Sequence, residues 1–307
     1  MNPAYSVILF TTASGAGYGL LALLGLVGYN HGPASIFAFG LTAMLTALGL
    51  ITAGLLSSTF HLGHPERAWR ALSQWRSSWL SREGVAAIAT YVPGFLFGLV
   101  WTGLINAPHL IASLGLATAA MSAITVFCTA KIYSTLTTIR AWNHALTAPV
   151  YLAFALATGG ALMAAIATAF GRLQIFQVIL TSAAVILVAI LKYFYWRSID
   201  RAQRTHTMAA ATGLGAGVRQ WEVPHTSTNF IMKEMGFAVA RKHAEKLRKA
   251  VFVLLLVTLL SLAACAVSPW FSFVAAPAIL LAAVFERWLF FAEVQHVVSL
   301  FYGAERA

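Results

Sequence analysis

Eight predominantly apolar runs divide this chain, at about residues 5–29, 35–60, 84–106, 109–130, 147–170, 174–195, 251–269 and 273–301. Each is close to or above the ~20 residues that carry a helix across bilayer hydrocarbon. In lipid every backbone N–H and C=O must be paired within the protein, so only helices and closed barrels span a membrane. Barrel strands alternate apolar and polar residues, and these runs do not. The sequence therefore predicts an all-α polytopic membrane protein, a bundle of eight transmembrane helices forming a single membrane domain over residues 1–307. Composition agrees: 9% of residues are charged, against roughly 25% in a soluble domain, and mean hydropathy is +0.79.

The breaks between runs are of two kinds. Asn30-His31-Gly32-Pro33, Ala107-Pro108-His109, Gly171-Arg172 and Ser268-Pro269 are tight connections between antiparallel neighbours. The loops 61–83, 131–146 and 196–250 are longer and share a face with both termini. Arg172 alone lies on the other face, and Lys192 and Arg287 fall within runs, which leaves 17 of the 20 Lys and Arg on the long-loop side. By the positive-inside rule that face is expected to be cytoplasmic, with both termini inside. The net charge of +11 then reads as a signal for topology, anionic lipid and a docked partner, with no nucleic acid implied. No basic region precedes the first run, which reads as a retained helix. Small residues (Ser14, Gly15, Ala16, Gly17, Gly19; Gly159, Gly160, Ala161) allow close helix packing.

Several chemistries are disfavoured. Cys128 and Cys265 are isolated, too few for an iron–sulfur cluster or structural zinc. A haem held by two histidines needs them at matching depth on facing helices. His61 and His296 lie near one rim, His31 and His109 near the other, and none is central, so neither haem nor metal is expected. The glycine-rich stretch Ala209 to Gly217 lacks the Lys-Ser/Thr of a phosphate-binding loop. The rest of the basic loop 196–250, from Asn229 to Lys249, reads as an amphipathic helix. Its apolar members are Phe230, Ile231, Met235, Phe237 and Val239, suited to interfacial anchoring or an acidic partner.

The densest polar stretch joins runs two and three, from His61 through Arg67 and Trp79 to Arg82 and Glu83. Tryptophan and arginine at that depth also serve as plain interfacial anchors. His61 and Glu83 stand at the hydrocarbon edge, where ionisable groups suggest function. A histidine and a carboxylate beside apolar walls can exchange protons with a quinone ring. Tyr133 could donate to a ligand carbonyl or sit as a belt residue. Arg287 and Glu293 in the last run need buried partners, and a neutralising pair is the simpler reading.

The segment His61-Leu62-Gly63, Pro65 and Arg67-Ala68, followed by Ser78-Trp79-Leu80-Ser81-Arg82-Glu83, resembles the membrane anchor subunit of dimethyl sulfoxide reductase-type molybdoenzymes. Lys131-Ile132-Tyr133-Ser134 with Trp142 and Thr147-Ala148-Pro149 looks like the same family's fourth-to-fifth span connection, and Arg287 with Phe290-Phe291 is similar to its last-span signature. The acid that usually precedes that arginine by a turn is Ala283 here. The resemblance implies a haem-free subunit of the bacterial inner membrane that binds ubiquinone or menaquinone. It would anchor a molybdopterin catalytic subunit and an iron–sulfur subunit. His61 and Glu83 would be the proton-exchanging residues. Arg67, Trp79, Arg82, Tyr133, Trp142 and Arg287 would surround the quinone. Because the loop face is expected to be cytoplasmic, the chain resembles the branch in which a cytoplasmic sulfite-oxidising module delivers electrons to the quinone pool. The reverse direction, quinol oxidation for a terminal reductase, is the alternative, and a secondary transporter the second. Midplane charges and inverted halves would mark a transporter.

Overall fold

The computed structural model describes residues 4–34, 37–201, 207–215, 221–222, 239–294 and 296–302. Eight long helices carry the fold: α1 Tyr5–His31, α2 Phe37–Ser57, α3 Trp79–Trp101, α4 Ile111–Ser134, α5 Thr147–Ala169, α6 Ile175–Arg201, α7 Val239–Ala264 and α8 Ser272–Ala292. All eight contain windows long and apolar enough to cross a bilayer, and the expected all-α polytopic bundle is what forms. Gly32 ends α1 at φ +75°, with its N–H bonded to the Gly28 carbonyl. Such a positive φ costs a glycine little.

The bundle is built around α1, which packs against α2, α4, α5 and α8. Its glycines make this closeness possible. Gly25 meets Gly115 of α4 backbone to backbone, and Gly19 meets Ala155 and Gly159 of α5. A Cβ at Gly19 would overlap the Ala155 carbonyl. Lipid tails give apolar faces no hydrophobic reason to associate, so small residues that admit dispersion contact hold the interface. By contrast α6 and α7 stand at the edge and expose apolar rows such as Ile190 and Phe194 or Val253 and Leu256.

At the loop-bearing rim four helix boundaries depart from the sequence reading. The third helix begins at Trp79, after extended Ser78, so Glu83 sits in its second turn instead of opening it. Arg82 fixes this start: its Nε donates to the Trp75 carbonyl at 3.0 Å and its Nη2 to that of Arg76 at 2.6 Å. Helix α6 continues to Arg201, and α7 starts at Val239, so Val239 and the cations through Lys249 extend a spanning helix. The earlier part of the expected amphipathic helix, with Phe230, Ile231, Met235 and Phe237, lies outside the described residues. Finally, α8 stops at Ala292, and a 3-10 turn, Val297–Tyr302, follows. Hydropathy locates the hydrocarbon, and a helix does not have to end where hydrocarbon does.

Candidate functional site

Glu83 is 5% exposed, on a helix packed against α4. Among the described residues its Oε1 has no hydrogen-bond partner, and the hydroxyls of Tyr18, Ser81, Ser122 and Tyr151 are likewise unpartnered. Buried polar groups are nearly always paired, so each of these is a departure with a cost. Glu83 lies within electrostatic reach of Tyr18, Cys128 and Tyr133. Tyr18 in turn borders a cavity of about 20 Å³ between α1, α4, α5 and α8, with Ser14, Thr129, Tyr151 and Arg287. That space suits about one water.

Trp79, Arg82 and Glu83 stand at spacings that place them on one helical face. The Arg82 guanidinium lies 4.4 Å from the Trp79 ring centroid, with Lys131 Nζ of α4 at 5.5 Å from the same ring. The other expected residues separate. Tyr133, Trp142, Tyr151, Phe290 and Phe291 form an aromatic box; Trp142 stacks on Phe290 at 5.6 Å and its Nε1 donates to the Phe290 carbonyl at 2.7 Å. Arg287 joins the box, its guanidinium 3.5 Å from the Tyr151 centroid. Arg67 does not: it is exposed, with Nε 3.7 Å from Glu66, and makes no hydrogen bond to Glu83. The backbone of His61 closes the turn Ser58–His61 after α2, and its side chain lies outside what the structure describes.

Sequence reasoning missed a buried charge cluster beside this box. Lys192 Nζ of α6 bonds Glu286 Oε1 of α8 at 2.7 Å, and both side chains are at most 1% exposed. Glu286 Oε2 lies 2.8 Å from Arg287 Nη1, but neither atom has hydrogen-bond geometry. Adjacent residues diverge by about 100° around a helix, so this is a charge contact only. Glu286 is thus the acid beside the last-span arginine, while Glu293 pairs with Arg248, which also bonds Asp200 at 2.7 Å. Lys192, alone in an apolar run, was the available signal; its partner 94 residues away was not legible. Tyr18 and Tyr151 gave none.

Outside the spans burial shifts three titrating groups. Desolvation raises the Glu293 carboxyl against the opposing pull of Arg248. It lowers His144, helped by Lys192, and lowers His296. Both imidazoles use Nδ1 to accept a backbone N–H, from Leu146 at 3.1 Å and Val298 at 3.0 Å, which a second ring proton would abolish.

A glycine-packed, eight-helix bundle with one cation-rich rim and a buried carboxyl beneath it defines a multi-pass membrane protein. The chain belongs to the DMSO reductase anchor subunit (DmsC) family, whose model matches residues 1–303. It is also 32% identical to the C subunit of sulfite dehydrogenase from Allochromatium vinosum, over 98% of this chain and 99% of that protein.

Proposed function

We propose that this chain is the quinone-linked anchor of a molybdopterin and iron–sulfur oxidoreductase in the bacterial inner membrane. Its basic rim would be cytoplasmic and would receive the two soluble subunits. Sulfite, or a related sulfur compound, would be the electron donor. The observation that carries this reading is the buried Glu83 Oε1, one turn beneath the rim and without a hydrogen-bond partner among the described residues.

The donor set fits a quinone, a two-electron and two-proton acceptor; the interior cavity does not. About 20 Å³ is far below the ~300 Å³ at which ligand pockets begin. The ring would therefore be held at the outer edge of α3, against Trp79 and Arg82, with Glu83 directly behind them. Glu83 holds and exchanges a proton at Oε1. His61, closing the turn after α2 on the same rim, is the second exchanging group. Arg82, tethered to two loop carbonyls, keeps a positive charge at the entrance. Tyr133, Trp142 and Arg287 form the wall behind. Arg67, facing solvent, belongs to the surface that meets the partners.

Glu83→Gln in the assembled complex tests the proposal. Loss of a general acid–base group slows turnover about 10²-fold or more, so quinone-linked activity should fall while dye-linked sulfite oxidation is kept. Unchanged quinone kinetics would remove Glu83 from the mechanism. Sulfite-dependent quinone reduction, set against quinol-dependent dimethyl sulfoxide reduction, decides the direction of electron flow. The buried Lys192–Glu286–Arg287 cluster is what favours a transporter; uptake into proteoliposomes without soluble partners would establish one.

A further inference from the structure

We propose that the groove between α6 and α7 at the basic rim binds the head group of an anionic glycerophospholipid. This groove, of about 450 Å³, is bordered by Arg197, Asp200 and Arg201 on α6 and by Glu245, Arg248 and Lys249 on α7. It is separate from Glu83 and from the cavity under Tyr18.

Its charges divide into used and unused. Arg248 is engaged by Asp200 and by Glu293, and Lys249 by Glu245 at 2.7 Å. Arg197 and Arg201 have no carboxylate partner among the described residues; Arg197 donates only to the Tyr193 hydroxyl, at 2.5 Å. Counting the four cations against Asp200, Glu245 and Glu293 leaves one positive charge in excess. A phosphodiester with one negative charge complements that balance. Guanidinium forks match phosphate oxygens in geometry as well as charge.

The floor and the surroundings select a lipid over a soluble anion. Beneath the cations Trp196 and Phe252 meet edge to face at 5.5 Å, and Arg248 lies 5.3 Å from the Trp196 ring centroid. Below them the two helices, the least buried of the bundle, expose Ile190, Phe194, Val253 and Leu256. A phosphate at the mouth can thus continue into acyl chains along exposed apolar rows. Basic pockets between spanning helices take anionic head groups in this way. An acidic protein segment would find the same cations without needing the apolar rows.

The test uses the full chain in nanodiscs of phosphatidylglycerol or phosphatidylcholine, with lipids retained after release counted by native mass spectrometry. The wild-type chain should keep phosphatidylglycerol and shed phosphatidylcholine. Removing both unpaired cations, R197Q/R201Q, should weaken retention about 25-fold, about fivefold per cation. The charge-conserving R197K/R201K should keep most of it and guards against a folding defect. R70Q/R76Q, which removes two exposed cations of the same rim, should change nothing. Equal retention of the two lipids, or full retention by R197Q/R201Q, overturns the proposal. So does an R197Q/R201Q chain that keeps its lipid but loses the soluble partners, which would make the groove a protein docking surface.

Discussion

Glu83 and Glu286 are both buried carboxylates in one bundle, 5% and 0% exposed, yet their surroundings are opposite. Glu286 is gripped by Lys192 on one oxygen and touched by Arg287 on the other, with aromatic rings over both cations. Glu83 has an oxygen with no hydrogen-bond partner among the described residues. Charges removed from water are tolerated when paired, and removing one member of such a set leaves the others uncompensated. A buried polar group left unsatisfied costs about 1–3 kcal/mol. The bundle bears that cost at the rim where the proposed chemistry lies, and offsets it where α6 and α8 meet by setting the Arg287 guanidinium 2.8 Å from the second Glu286 oxygen.

The comparison can be broken most forcefully at its paired end. Glu286→Gln leaves Lys192 and Arg287 buried without a carboxylate, which should lower stability by about 3–5 kcal/mol, read as a drop in the unfolding transition in detergent. A loss below about 1 kcal/mol would mean that the cluster is wet or poorly formed. Glu83→Gln exchanges one unpartnered oxygen for an amide and should shift that same transition by under about 1 kcal/mol. Its effect belongs in quinone turnover, so the two glutamates should separate into one stability defect and one kinetic defect.

Smaller effects sharpen the same contrast. Trp142→Phe keeps an aromatic ring in the box but removes the bond to the Phe290 carbonyl, a loss of about 1 kcal/mol measurable in the same assay. The smallest concerns pH. Burial holds His144 and His296 below the ordinary imidazole value, so the unfolded chain takes up protons first as pH falls below about 6.5. Stability present above that value should therefore decline with acidification and level off below the folded-state values. His144→Gln should flatten part of the slope, and an unchanged pH profile would show that His144 does not carry it.

The architecture was legible because a bilayer makes one demand on every residue of a span. Apolar length set the number of helices, and the one-sided cations set the expected orientation. The small residues of α1 and α5, conspicuous as sequence, do mark the tightest contacts: Gly19 against Ala155 and Gly159. Of the site, Trp79, Arg82 and Glu83 were visible as a polar cluster at a span edge, and helical spacing puts them on one face.

The rest depended on which helices became neighbours. Lys192 and Glu286 are 94 residues apart in sequence; hydropathy treats each as a lone blemish, and only the packing of the folded bundle makes them a pair. Tyr18 and Tyr151 read as ordinary aromatics in apolar runs until α1 and α5 close around the cavity they share with Arg287. Arg67, close to Glu83 by loop position, turns outwards because the 3-10 stretch Pro65–Gln74 leaves it in solvent. Sequence by itself determined what must lie in lipid, since that is decided residue by residue by transfer free energy. Which polar atoms are paired and which are left free is a property of distances between helices, and tertiary packing alone decides it.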